Sequence, residues 1–489
     1  MTASIAQVTF AGYLALMLVI GVYAGRFTER TPADFYVAGR TVGPLALALT
    51  LVATVLSAFT VFGIGARTVG TGLGAFSFLG LAAVFYTFVF ASVGVTLYRI
   101  GRERDVLTPA EYVRDRYESP ALGIVYLAVT GIFMIAMLAG QLIGGGVALD
   151  TLVDIPYTAA ILVMAAFMIV YVHLAGYRGV VWSDVVQSTV LFVVLAGVVG
   201  YVMIGLDSAS IAAEAATVEP SLFTLPGPDG TWTPLAIATA ALAFTVGVPG
   251  YPHTIQRYFS AADETTLRRS GVLFALVAIP IYLFGTLLGA WALGVVSVPD
   301  PTTHVIPVFI EAISSPVVFG IAMAAATAAI MSTADSVALT MSSMLSRDVY
   351  RVVVEPAASD EREVAVTQGF LIATVVLSVL LALAQPAGIF DLIAFAVVGF
   401  ATTTAPVFLG AYWRGATVAG GVASLVLGPG VTILFFLEVI PPVYTFGMHY
   451  GFVGVLVAYG IFVGVSVLTA TPGARSISAY SRSIVLDRE

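Results

Sequence analysis

The chain of 489 residues contains no cysteine and no lysine, and only 10% of its residues are charged. Without cysteine there is no disulfide framework and no thiolate metal site. Every basic residue is an arginine, and the formal net charge is -8, which excludes a strongly cationic nucleic-acid binder. A salt-adapted host and a GC-rich genome would both leave this lysine-free, acidic signature. Soluble domains carry about 25% charged residues, so 10% charged beside 59% hydrophobic excludes an ordinary water-soluble enzyme. No basic residue precedes the apolar run Val8–Tyr23 and Arg26 follows it, so this run reads as a retained span, not a removable signal.

What is present is a series of stretches long enough to cross a bilayer, about 20 apolar residues each. Thirteen are expected, at about 8–25, 42–62, 73–98, 121–149, 157–175, 180–204, 233–256, 271–295, 317–345, 364–384, 389–411, 417–438 and 448–470. Basic residues concentrate in short cytoplasmic loops. With the N-terminus outside, all but one of the 20 arginines fall on the inner side. They run from Arg26, Arg30 and Arg40, through Arg257, Arg268 and Arg269, to Arg475, Arg482 and Arg488 in the tail. Arg67 alone is left outside. The longest outer connections, 205–232 and 296–316, carry only acids, among them Asp207, Glu219, Asp300 and Glu311.

Two spans are poor continuous helices. The second opens Gly39-Arg40-Thr41-Val42-Gly43-Pro44 and reaches the small and polar run Ala53-Thr54-Val55-Leu56-Ser57-Ala58. The seventh contains Gly247-Val248-Pro249-Gly250-Tyr251-Pro252, which interrupts the hydrogen-bond ladder. Irregular backbone at membrane depth is tolerated where it lines a cavity or is buried in protein. Spans two and seven are five apart, an odd number, so five-span sets beginning with them enter the membrane from opposite sides. That is the arithmetic of an inverted repeat with a substrate site at the midplane. The expected division is 1–41 (first helix and loop), 42–204 (first repeat), 205–232 (outer loop), 233–411 (second repeat) and 412–489 (two further helices and tail).

The ninth span carries a polar stripe. Ser332, Ser336, Thr340 and Ser343 share one helix face, and Asp335 lies beside them. An intramembrane carboxylate is costly and takes a partner or an ion. Hydroxyl and carbonyl oxygens suit a hard cation, so Ser332, Thr333 and the Ala329 carbonyl form half of a sodium site. Unwound backbone near Ala53 and Leu56 supplies the other half. His253, at the break in the seventh span, reads as a cap on freed backbone carbonyls rather than a substrate ligand.

The run Met331-Ser332-Thr333-Ala334-Asp335-Ser336 through Ser346-Arg347-Asp348-Val349-Tyr350 resembles the signature of the sodium:solute symporter family. So do Ala38–Pro44 with Ala53–Ser57, Trp182-Ser183-Asp184-Val185-Val186-Gln187, and Gly250-Tyr251-Pro252-His253. The resemblance covers essentially the whole chain. It implies an all-α polytopic membrane protein with a five-plus-five inverted-repeat core of the amino-acid/sodium symporter type. It also implies a sodium site on the Ala53 and Leu56 carbonyls, the Ala329 carbonyl and the Ser332 and Thr333 hydroxyls. Asp184, Asp335 and Ser336 match a second cation site found in some members. Ser57, Phe59, Thr60, Gln141, Phe244 and Tyr251 are the implied substrate residues. The Gly-Tyr-Pro-His stretch is similar to proline-type and pantothenate-type members. Against proline stand Val55 and Phe59, where proline permeases carry an acidic residue and a tryptophan.

The implied activity is sodium-coupled import of a small organic solute across the plasma membrane, with sodium as coupling ion and no other cofactor. The expected partners are the solute, sodium and the bilayer, with no nucleic acid. Proton coupling on the same scaffold, or an uncoupled sensor or channel, are the alternatives. No nucleophile–base pair suggests an enzyme.

Overall fold

A computed structural model describes residues 4–29, 31–153, 155–298 and 304–469. Arg30, Asp300, Arg475, Arg482 and Arg488, which entered the topology argument, lie outside the described residues. Among the described residues the chain is all helical, apart from one isolated bridge between Val42 and Ala261. The long helices in chain order begin with α1 (Ile5–Gly25), α2 (Pro44–Val55), α3 (Phe59–Thr71) and α4 (Gly74–Glu103). Then come α5 (Pro120–Val153), α6 (Tyr157–Gly205), α7 (Pro234–Gly250), α8 (Pro252–Ser260) and α9 (Glu264–Ala292). The last are α10 (Pro316–Met344), α11 (Asp360–Ala384), α12 (Ile389–Tyr412), α13 (Val418–Phe436) and α14 (Tyr450–Leu468).

Among the described residues, ten helices are long and apolar enough to cross a membrane, or twelve if each of two bent pairs counts as one span. Thirteen is not reached. The difference lies in α6, whose 49 residues were expected as two spans. Straight, it would run about 74 Å, more than twice a bilayer's hydrocarbon core of about 30 Å. It is not straight: Gly176, at φ 57° and ψ -172°, leaves helical geometry in its middle.

Local chemistry sets the ends. Ser4 and Gln7 form a reciprocal capping box at the start of α1. Asp263 caps α9, accepting from Thr266 N at 2.6 Å, and such backbone donors hold its carboxyl below the ordinary carboxylate range. The two bent pairs are the discontinuous spans expected from sequence. α2 and α3 meet at 56°, α7 and α8 at 51°. At the first break Leu56 is extended (φ -90°, ψ 105°). At the second Tyr251 is extended (φ -55°, ψ 136°), as a residue before proline is driven to be, and Pro252 opens the next helix.

The bundle sorts its helices by burial. The apolar window of Ile389–Tyr412 is 94% buried within the protein and that of Pro316–Val354 is 83%, against 28% for Ile5–Gly25. α10 and α12 therefore form the interior, and α1 presents its apolar surface outward. The two broken spans run antiparallel: Val42 N donates to Ser260 O at 3.1 Å and Ala262 N to Val42 O at 3.0 Å. This joins the start of one to the end of the other. Near the same end, partly buried ion pairs such as Arg114–Asp348 at 2.9 Å and Arg347–Glu111 at 3.2 Å tie the arginine-rich loops together.

Backbone contact positions the first broken span against α9. A Cβ at Gly289 would lie 2.4 Å from Gly65 O, and one at Gly285 would lie 2.6 Å from Thr60 O. Neither carbonyl is a flexible side-chain end that can swing aside. Gly289→Val is expected to cost about 1–3 kcal/mol through overpacking, read as a lower thermal midpoint in detergent. Gly197→Ala, where a Cβ meets nothing within 4 Å, should leave the midpoint unchanged or slightly raised.

Candidate functional site

Breaking a helix inside a bundle frees backbone groups that buried surroundings cannot hydrate. At the first break those groups are met one by one. Ala58 N donates to Gln141 Oε1 at 3.0 Å, and Phe59 N to Ser57 Oγ at 3.2 Å. Ser57 N lies 3.4 Å from Thr60 Oγ1. Gln141 and Thr60, expected as substrate ligands, thus support the break and do not line the central cavity described below.

The carbonyls of the same turn face α10. Ser332 Oγ lies 2.8 Å from Ala53 O and 2.9 Å from Ala329 O, its one proton serving one carbonyl at a time. Thr333 Oγ1 lies 3.1 Å from Ala53 O and 3.2 Å from Thr54 O. Four of the five expected sodium-site residues are therefore joined by direct contacts. The fifth, Leu56, is the first residue out of helical backbone, which frees its carbonyl from the ladder. All are buried. The donor set is neutral and all oxygen, the chemistry that suits a hard monovalent cation.

Beside it is a small cavity of about 10 Å³, which Thr333 and Thr54 share with this oxygen cluster. Ser57, Phe59, Phe244 and Tyr251, four of the six candidate substrate residues, are among its lining. Met137, Leu79, Tyr282, Ile393 and Val397 line it too. Sequence patterning could not single these out, because apolar wall residues look like any other core. Among the described residues, no charged side chain lines this cavity. Phe59 closes one side, stacked on Phe390 at 4.7 Å. Beyond Phe390 lies a second cavity of about 270 Å³, lined in part by Arg67, Asp391 and Asp229. The Arg67 guanidinium sits 5.7 Å from the Phe390 ring centre.

Three expectations change here. His253 caps nothing: both ring nitrogens are buried without a hydrogen-bond partner, and its ring packs against Tyr251 at 4.9 Å. Its backbone oxygen, not its side chain, joins a network. Arg257, counted among loop arginines, is fully buried on α8. Its Nη2 pairs with Asp184 Oδ2 at 3.0 Å and donates to Ser336 Oγ at 2.6 Å. Thus Asp184 and Ser336, two residues of the candidate second cation site, converge on a guanidinium. Asp335, the third, is fully buried with both carboxyl oxygens unpartnered. The signal for Arg257 was available: an arginine five residues after Pro252 belongs to the second half of the broken helix, not to a loop.

Residues 35–428 match the Sodium:solute symporter family. The chain is a member of that family. It is 31% identical to the sodium/pantothenate symporter of Haemophilus influenzae, the match covering 86% of this chain and 88% of that one. It is 27% identical to the sodium/proline symporter of Staphylococcus aureus strain RF122, over 96% of this chain and 93% of that one. Its fold is similar to that of a sodium-coupled sialic acid symporter in a substrate-bound outward-open state, with a TM-score of 0.81 at 20% identity. That likeness covers 97% of this chain and 99% of the other. A nucleobase-cation-symport-1 family transporter in a closed conformation aligns with a TM-score of 0.60 at 13% identity, over 92% and 98% of the two chains. The family member described here is therefore a multi-pass membrane transporter and not an enzyme, and family membership implies sodium as its coupling ion.

The support at the break can be measured. Gln141→Leu removes the acceptor of Ala58 N and is expected to destabilise by about 1–3 kcal/mol, seen as a lower melting temperature of the purified symporter. Gln141→Glu, which keeps the acceptor, should lose less; equal losses would mean that the hydrogen bond is not what the residue contributes.

Proposed function

We propose that this symporter imports a small organic solute, an amino acid such as proline or a small carboxylate, by sodium-driven alternating access. The observation that carries this is the contact of Ser332 and Thr333 with the Ala53 carbonyl at the break of α2 and α3. Sodium held there links the first broken span to α10 and orders the adjoining cavity, whose wall shares Thr54 and Thr333 with the ion site. Leu56 and Ala329 complete the oxygen set with their carbonyls. The solute sits among Ser57, Phe59, Phe244 and Tyr251. A cavity without charged side chains offers a carboxylate only hydroxyls and the nearby ion, which favours solutes small enough to reach both.

In the working orientation the N-terminus is outside, the arginine-rich ends face the cytoplasm, and the membrane is the plasma membrane. The two repeats span 42–204 and 233–411, with 205–232 as the outer loop. Moving one charge down 100 mV releases about 2.3 kcal/mol, and a tenfold sodium gradient about 1.4 kcal/mol. Together they support accumulation of several hundredfold per ion.

The test is uptake into proteoliposomes from a panel of proline, pantothenate, lactate, acetate and other small acids under a sodium gradient. Ser332→Ala and Thr333→Ala are each expected to raise the sodium concentration for half-maximal uptake at least tenfold, about 1.4 kcal/mol. Unchanged sodium dependence in both variants would sink the assignment.

One observation favours a second reading, proton coupling. Asp335 has both oxygens buried and unpartnered, and a proton is the simplest way to keep an isolated carboxyl neutral there. On that reading, uptake should follow an imposed pH gradient in the complete absence of sodium and be lost in Asp335→Asn. A requirement for sodium at every pH rules it out.

A further inference from the structure

We propose that the cavity of about 270 Å³ between α3 and α12 is an entry site for an amino-acid zwitterion, with Arg67 receiving the carboxylate and Asp391 the ammonium. It rests on the solute-import reading, and adds where the solute is first held and which charges it carries.

Size separates the two cavities. The central one, about 10 Å³, has room for about one water. The outer one has room for a small solute with its hydration. Its wall includes Asp229, from the connection 205–232 that the working orientation puts outside. Phe390 belongs to the same wall and stacks at 4.7 Å on Phe59, which lines the central cavity. Gly63, one turn before Arg67, lets α12 close on α3: a Cβ there would lie 3.3 Å from the Phe390 backbone. A solute in the outer cavity is therefore one aromatic pair away from the inner one.

The charges in the outer wall are uncommitted. Among the described residues the Arg67 side chain makes no hydrogen bond or ion pair, and its Nε is buried without a partner. The guanidinium carbon sits 5.7 Å from the Phe390 ring centre. Asp391, in the first turn of α12, likewise makes no side-chain hydrogen bond or ion pair among the described residues. The two face one cavity without pairing with each other. A buried donor left without an acceptor is costly, and a guanidinium fork matches a carboxylate. Asp229 is the second acid of the wall, its carboxylate accepting from Thr231 N at 3.0 Å. Acids thus outnumber bases, so a bare anion would meet two carboxylates and a bare cation would meet Arg67. A zwitterion answers Arg67 and Asp391 at once. It also carries no net charge toward a central cavity whose described lining has none.

The test is equilibrium binding of each common amino acid, radioactively labelled, to the purified full-length protein in sodium-free choline buffer. The outer cavity shares no lining residue with the Ser332 and Thr333 cluster, so binding is expected without sodium and unchanged in Ser332→Ala. The amino acid that binds best is then set against its two halves, the amine without the carboxylate and the acid without the amine. For proline these are pyrrolidine and cyclopentanecarboxylate. Each half is expected to bind roughly tenfold more weakly than the whole. Arg67→Gln should erase the advantage over the amine and Asp391→Asn the advantage over the acid, whereas Arg67→Lys, which keeps the charge, should retain most of it. A merely structural change would weaken all three ligands alike. Failure of every amino acid to bind the unaltered protein, a result that needs no variant to fold, overturns the proposal. So does lactate, acetate or pantothenate binding as tightly as the best amino acid, or an undiminished advantage in a folded Arg67→Gln protein. Sodium-driven uptake that fails for every solute strikes the import reading instead, because this binding is measured without sodium or transport.

Discussion

A helix interrupted in a low-dielectric interior leaves backbone donors and acceptors that must find partners, and most of this structure follows from meeting that demand twice. At the first break the demand is divided by sign. The freed N–H of Ala58 goes to Gln141 and that of Phe59 to Ser57. The carbonyl of Ala53 turns toward the hydroxyls of Ser332 and Thr333. Donors are satisfied by protein alone, whereas acceptors are gathered into one neutral oxygen cluster. A surplus of acceptors is what a cation requires, so the repair of the helix and the gathering of the oxygen cluster are one arrangement.

The second break solves the same problem with a charge. Pro252 has no N–H that needs an acceptor and starts a new helix, and Arg257, one turn after His253, reaches back to the His253 carbonyl. The same side chain crosses to Asp184, Thr50 and Ser336. The two broken spans thereby meet through side chains as well as through the short backbone bridge at Val42 and Ala261. A movement that separated α2 from α10 would have to part these contacts together with the oxygen cluster. Small residues on α9 serve the same end: Gly285 and Gly289 let it approach the backbone of α3 closely.

Much of this was legible in the residues. Apolar run lengths and the Gly/Pro interruptions pointed to a polytopic bundle with two discontinuous helices five spans apart, because hydropathy and helix-breaking act locally. The stripe Ser332, Ser336, Thr340 and Ser343, with Thr333 next to its first member, pointed to the polar side of α10, since helical periodicity is a property of one segment. Other features were not legible. Gln141 looked like a pocket ligand because an amide in an apolar helix declares only that it has a partner, not which one. Arg257 looked like a loop residue because a count of basic residues by loop assumes that arginine lies at the membrane edge. His253 looked like a cap because its ring is polar, yet the structure packs it against Tyr251 and Phe400.

By itself, then, the sequence determined what short-range physics can specify: which stretches are apolar enough to span, where the helices break, and which face of α10 is polar. The scarcity of charge had already made each retained acid and arginine conspicuous. Only the tertiary structure decided how those charges are used, because pairing depends on side chains from segments distant along the chain. Asp184 and Arg257 are separated by 73 positions and meet at 3.0 Å, while Asp335, beside the same stripe, meets no donor. Periodicity assigns a residue to a face. The packing of four helices around one guanidinium determines what that face holds.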